Sequence, residues 1–137
     1  MFQKIDHIGI AVSNLDESVK DYQQKFNIAV KYTEELADIS VRIAFIPVGE
    51  VMLELIEPLT PGKGRIAEFL EKHGEGLHHI AYRVHNLEAV LAKMKKEGVK
   101  LIDEKPRPGG GDSWIAFLNP EETNNVLTEL VQREREL

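Results

Sequence analysis

The alternation of hydrophobic and polar positions runs through one pattern and then repeats it. Ile5, His7 and Gly9 alternate with Asp6, Ile8 and Ile10 as far as Val12. This reads as a strand apolar on both faces. Asn14 follows as a helix cap, with Asp16 and Glu17 suited to the positive end of the helix dipole. Leu15, Val19, Tyr22 and Phe26 give an apolar stripe at helical spacing, and Asn27 is a left-handed stop. Three strand-like runs come next: a weak one at residues 29–33, a strong one at 41–48, and one at 51–56 across a Gly49-Glu50 hairpin turn, closed by Pro58. The order is β-α-β-β-β.

Prolines and glycines at 58–64 make a linker, and a short helix at 65–73 carries Ile66, Phe69 and Leu70 on one face before Gly74 and Gly76 break it. The pattern then restarts. A strand at 77–84 leads to the Asn86 cap, the stripe Leu87, Val90, Leu91 and Met94, and a stop at Gly98. A short strand at 99–102 precedes a flexible glycine loop at 106–112. Strands at 114–118 and 126–131 complete the copy, and residues 132–136 read as a solvated tail. The expected organisation is a single α+β domain of two tandem β-α-β-β-β modules, about 1–60 and 77–132, with the linker and short helix at 61–76 between them.

The repeat also carries chemistry. Asp6-His7-Ile8-Gly9-Ile10-Ala11-Val12-Ser13-Asn14-Leu15 lines up with His78-His79-Ile80-Ala81-Tyr82-Arg83-Val84-His85-Asn86-Leu87. Each copy ends in an apolar strand with one acid inside it, Glu54 and Glu129. Taken singly, a histidine on a strand is more often a structural residue than a ligand, and Glu54 between Leu53 and Leu55 could face solvent. The recurrence of both residue types at matching places favours one metal site on a pseudo-twofold axis, held by His7, Glu54, His79 and Glu129. The chain has no cysteine, so thiolate ligation is excluded. Imidazole and carboxylate donors suit Zn²⁺, Co²⁺, Ni²⁺ or Mn²⁺. Register with His7 selects His79 over His78, because a one-residue slip reverses the sheet face. His73, His85, Glu50 and Glu57 read as surface residues.

The bulk numbers narrow the partners. A net charge of −6 argues against nucleic acid. No apolar run approaches a membrane span, and Met1-Phe2-Gln3-Lys4 does not open a signal peptide, so a cytoplasmic protein is expected. The glycine loop could cradle a phosphate, but it does not open a helix after a strand.

Six phrases carry a family resemblance: Asp6-His7-Ile8-Gly9-Ile10-Ala11-Val12, Glu54-Leu55-Ile56-Glu57-Pro58-Leu59, Gly74-Glu75-Gly76-Leu77-His78-His79-Ile80-Ala81, Asp103-Glu104-Lys105-Pro106-Arg107-Pro108-Gly109, Ala116-Phe117-Leu118-Asn119-Pro120 and Val126-Leu127-Thr128-Glu129-Leu130. Spread over essentially the whole chain, they resemble the vicinal oxygen chelate superfamily (glyoxalases, bleomycin-resistance proteins and dioxygenases), and within it most closely the methylmalonyl-CoA epimerases. The resemblance implies a curved mixed sheet around one divalent metal, usually in a homodimer, with ligands at His7, Glu54, His79 and Glu129. It implies an acyl-CoA or other thioester substrate, epimerised at C2 by proton abstraction alpha to the thioester; with Arg42 unable to serve as a base, Glu129 and Glu54 are the symmetric candidates for that role. Some epimerases carry a catalytic Glu in the strand before Glu54; Arg42 is the closest match here. Glu at position 54 looks more like glyoxalase I, where some epimerases carry Gln. Other departures are Gly109-Gly110-Gly111-Asp112, Asn119 and Asn124-Asn125. A lactoylglutathione lyase and a non-catalytic drug-binding protein of the same fold are the alternatives.

Overall fold

The computed structural model describes residues 1–134. Its elements follow the order β1 (Lys4–Ala11), α1 (Leu15–Phe26), β2 (Tyr32–Leu36), β3 (Val41–Val48), β4 (Val51–Pro58), α2 (Arg65–His73), β5 (Gly76–Arg83), α3 (Leu87–Lys96), β6 (Arg107–Gly109), β7 (Ser113–Phe117) and β8 (Thr128–Arg133). This is β-α-β-β-β twice, with α2 between the copies. The α+β class and the paired modules expected from the pattern are therefore present. The residues group into two units: His7–His78, here the first module, and Met1–Asp6 together with His79 onward, the second.

In the first module the strand order is β2-β3-β4-β1. β3 runs antiparallel to β2 and β4, and β1 runs parallel to β4. The β3–β4 hairpin turns on Gly49, whose φ of +60° suits a residue without a side chain. Alternation divides this sheet. Ile10, Ala44, Ile46, Leu53 and Leu55 pack with Val12, Leu15, Val19 and Tyr22 against α1. The opposite face carries His7, Gly9, Met52, Glu54, Ile43 and Phe45, which are joined through cross-strand partners. The second module repeats the order as β5-β8-β7-β6, with β8 parallel to β5 and antiparallel to β7. Val84, Leu87, Leu91, Ala116, Leu118 and Leu130 pack against α3. Ala81, Ile115, Phe117 and Val131 form the other face.

Both helix starts behave as expected. The Asn14 side chain accepts from the N–H of Glu17, and Asn86 accepts from Ala89, each at 3.1 Å. Asn27 closes α1 in the left-handed region at φ 53°.

Four local expectations are corrected. The first concerns β2, which occupies Tyr32–Leu36, not 29–33. Ile28 and Val30 fill the core beside α1, so their hydrophobicity marked packing and not pairing. Phe26, placed on the buried stripe of α1, is exposed. The third strand of the second module is β6, inside the supposed flexible loop, while 99–102 makes only an isolated bridge, Leu101 to Leu118. Two prolines obscured β6. It is the last strand in its module's order, where a missing N–H is tolerated. Gly109 is required there, since a Cβ would lie 2.6 Å from Ile115 Cγ2. Finally, Gln132 and Arg133, read as tail, belong to β8. The Arg133 guanidinium is buried and bonds both oxygens of Asp6 at 2.8–2.9 Å. Residues 135 and 136 of that tail lie outside the described residues.

Candidate metal centre

Strand register brings His7 and Glu54 together. Parallel pairing sets His7 opposite Met52 and Gly9 opposite Glu54, so the imidazole and the carboxylate share a face one diagonal step apart. His7 Nδ1 lies 3.2 Å from Glu54 Oε2. On the other side Glu54 is opposite Phe45, whose ring stacks on Tyr32 with centroids 4.5 Å apart. The second module builds the same arrangement. Ala81 and Phe117 flank Glu129 across the two neighbouring strands. His79 Nε2 lies 3.9 Å from Glu129 Oε1, and the His79 ring meets Phe117 edge-on at 5.7 Å.

Each glutamate thus stands between a phenylalanine and a glycine or alanine, with a histidine at its diagonal. All four side chains are buried: His7 and Glu54 are 4% exposed, His79 5% and Glu129 4%. An apolar face exacts several kcal/mol or more for holding an ionised carboxylate unless a cation or good hydrogen bonds compensate it. A divalent cation compensates carboxylates in this way, and neutral imidazoles supply further donors to it. In each module the histidine–glutamate pair therefore suits a divalent metal ion on donor chemistry and burial.

The competing residues separate cleanly. His78 is half-buried and packs edge-on against Phe69 of α2, 5.0 Å between centroids. His73 contacts the same ring, and His85 is exposed. Glu50 is exposed as expected, but Glu57 is not solvated. It is half-buried, with Oε2 accepting the Leu15 N–H at 2.7 Å. Arg42 stands on the helix side of β3. Its Nη1 donates to Glu57 Oε1 at 3.2 Å and its Nη2 to Asp16 Oδ1 at 3.0 Å. The Asp16 hydrogen bond, more than any other influence, raises the arginine's pKa. Arg42 therefore faces away from Glu54, and Ile43 is the residue on the Glu54 face at this point of β3. Matching Arg42 to a site position missed by one residue.

Sequence reasoning also passed over Phe45 and Phe117, the residues that wall in the glutamates. A signal was available: Ile43-Ala44-Phe45 recurs as Ile115-Ala116-Phe117.

Comparison with known proteins agrees with this layout. Residues 6–117 match the model of the glyoxalase/bleomycin resistance protein/dioxygenase superfamily. An uncharacterized protein of Bacillus subtilis is 42% identical over 129 residues, covering 94% of this chain and 91% of its own. An ethylmalonyl-CoA/methylmalonyl-CoA epimerase of Cereibacter sphaeroides is 31% identical over 134 residues, covering 96% and 99%. Among solved structures, a methylmalonyl-CoA epimerase in complex with methylmalonyl-CoA and NH4+ superposes with a TM-score of 0.92 at 34% identity, covering 99% of this chain and 98% of that one.

Proposed function

The chain belongs to the glyoxalase/bleomycin resistance protein/dioxygenase superfamily, and we propose that within it the chain is a metal-dependent epimerase that inverts C2 of methylmalonyl-CoA. One observation carries the reading: each module buries a histidine beside a glutamate at the same register, His7 with Glu54 and His79 with Glu129. The likeness to methylmalonyl-CoA epimerases supports the substrate. The ligands proposed are His7 and Glu54 of the first module and His79 and Glu129 of the second, the repeat supplying the same two donors twice. The ion is Co²⁺, Zn²⁺, Ni²⁺ or Mn²⁺ by donor type. When bound, it supplies Lewis acidity toward the thioester oxygen and the substrate carboxylate, making the C2 proton more acidic.

The protein's own part is proton transfer. One carboxylate accepts the C2 proton from one face, and the other returns a proton to the opposite face. Glu54 and Glu129 are the pair, each buried and directly opposite a phenylalanine of the neighbouring strand. A two-base inversion exchanges the C2 proton with solvent, because the group that removes it is not the group that returns one. A homodimer belongs to the same reading, and light scattering at micromolar concentration checks it.

The experiment is incubation of the metal-loaded protein with methylmalonyl-CoA in deuterated water, alongside methylglyoxal plus glutathione. Deuterium at C2 is the expected result. Lactoylglutathione formation without that exchange would replace the epimerase by a lyase of the glyoxalase I type. His79→Ala should abolish stoichiometric metal, whereas His78→Ala should retain it; the reverse would shift the ligand assignment by one residue.

A further inference from the structure

At one matched place on the ligand-bearing face the two modules carry opposite charges. On β2, Glu34 lies opposite Ile43; on β6, Arg107 lies opposite Ile115. Ile43 and Ile115 each stand two residues before the phenylalanine that faces a buried glutamate. Directly opposed residues share a sheet face, so both charged side chains stand on the side that carries histidine and glutamate. The repeat keeps His, Glu, Phe and Ile there, yet sets an acid in one module and a guanidinium in the other.

Arg107 is built to receive an anion. Its Nε donates to Asp103 Oδ1 at 3.2 Å, and Asp103 Oδ2 in turn accepts the Phe117 N–H at 2.9 Å, so the carboxylate that aims the guanidinium is itself tied to β7. The guanidinium carbon lies 5.4 Å from the centre of the Phe117 ring, the ring that also meets His79. The side chain is 29% exposed, so the group is reachable but partly desolvated. Among the described residues its hydrogen bonding is confined to Nε, leaving the two Nη groups for a ligand. The other arginines of this face are engaged otherwise: Arg83 and Arg133 bond Asp6, and Arg133 Nη1 also donates to the carbonyls of Gly110 and Gly111.

We propose that Arg107 receives the carboxylate of the ligand through its Nη groups and thereby selects acyl thioesters that bear a carboxylate over those that do not. A planar guanidinium matches a carboxylate with two parallel hydrogen bonds, and an ammonium does not. The thioester half of this statement rests on the epimerase reading; the pairing of Arg107 with a carboxylate does not.

Titration calorimetry on the full metal-loaded chain tests it, using malonyl-CoA, acetyl-CoA and free malonate. Arg107→Gln should weaken malonyl-CoA binding by roughly 10- to 100-fold, the span of a charge-assisted hydrogen bond, and leave acetyl-CoA binding unchanged. Arg107→Lys, which keeps the charge but loses the fork, should recover part of the loss. Equal weakening of both CoA esters would overturn the proposal, since the guanidinium would then hold a CoA phosphate or only brace β7. No weakening of either would overturn it too. If the parent binds neither ester but binds malonate in an Arg107-dependent way, the epimerase reading fails and the assignment of Arg107 stands. Malonate binding indifferent to Arg107→Gln, with neither ester bound, would sink both.

Discussion

Set side by side, the two modules agree in register and part company in charge. Phe45 faces Glu54 as Phe117 faces Glu129, and Ile43 faces Ile56 as Ile115 faces Val131. Even the helix entry is repeated: the Leu15 N–H donates to Glu57 Oε2, and the Leu87 N–H donates to Gln132 Oε1. Yet Glu57 pairs with Arg42 across the hairpin, while Gln132 lies opposite Trp114. Asp6 and His78 precede the matched histidines. Asp6 enters a buried ion cluster in the second module, and His78 leans on Phe69 in the first. The difference teaches what a duplicated fold must keep. Backbone pairing and the histidine–glutamate diagonal are retained in both copies, whereas ionic partners one or two positions away have been free to diverge.

The largest expected effect lies in that ion cluster. Asp6 bonds Arg83 Nε at 2.7 Å and Arg133 Nη2 at 2.8 Å, and the Asp6 and Arg133 side chains are each 1% exposed. Removing one partner of a buried ionic group leaves uncompensated charge, so Asp6→Ala should cost about 3–5 kcal/mol in urea unfolding. His78→Ala removes an aromatic contact at the matched position and should cost less, of the order of 0.5–1.5 kcal/mol beyond its lost buried area. Equal costs would mean that the cluster is effectively solvated and the modules are alike in stability after all.

Next comes the matched pair of glutamates. If they act as two bases, Glu129→Gln and Glu54→Gln should each lower turnover at least roughly a hundredfold, about 2.7 kcal/mol of barrier, with metal content retained because an amide oxygen still ligates. Metal content and deuterium incorporation are read on the same samples. Near-parental activity in Glu54→Gln alone would make Glu54 a ligand only, and the two-carboxylate mechanism would be dropped.

Much of this architecture was legible in the chain. Asn14 and Asn86 named both helix starts because capping is local, and α2 was placed at 65–73 by its own glycine boundaries. The four candidate ligands stood out because a repeat constrains them jointly where single residues do not. What escaped was whatever depends on distant partners. β6 is three residues long, with Pro108 inside it and Pro106 just before it, and only its pairing with β7 makes it a strand. Arg133 sits in a run of charges that reads as solvated, and its burial depends on Asp6, 127 positions earlier. Arg42 and Ile43 are adjacent in sequence, so only the register decides which one faces Glu54.

The smallest effect sharpens the helix-entry comparison. Glu57→Gln would give the first module the second module's solution: an amide oxygen still accepts the Leu15 N–H, while the charge at the helix N-terminus and the partnership with Arg42 are lost. The Arg42 side chain is 28% exposed and the Glu57 side chain 17%, so the pair is screened in part. The expected cost is about 0.3–1 kcal/mol at low ionic strength, combining a helix-dipole charge with a half-exposed ion pair. Because that cost is electrostatic, it should shrink at about 1 M salt, where the screening length falls to roughly 3 Å. Gln132→Glu is the reverse exchange. It adds the favourable dipole charge, but Trp114 stands opposite it where Arg42 stands opposite Glu57, so its gain should be smaller than the Glu57→Gln cost and should also shrink with salt. A Glu57→Gln cost that is the same at both salt concentrations would show that the entry of α1 is held by the hydrogen bond to Leu15 alone. In that case the two modules would use one physical device there under two residue names.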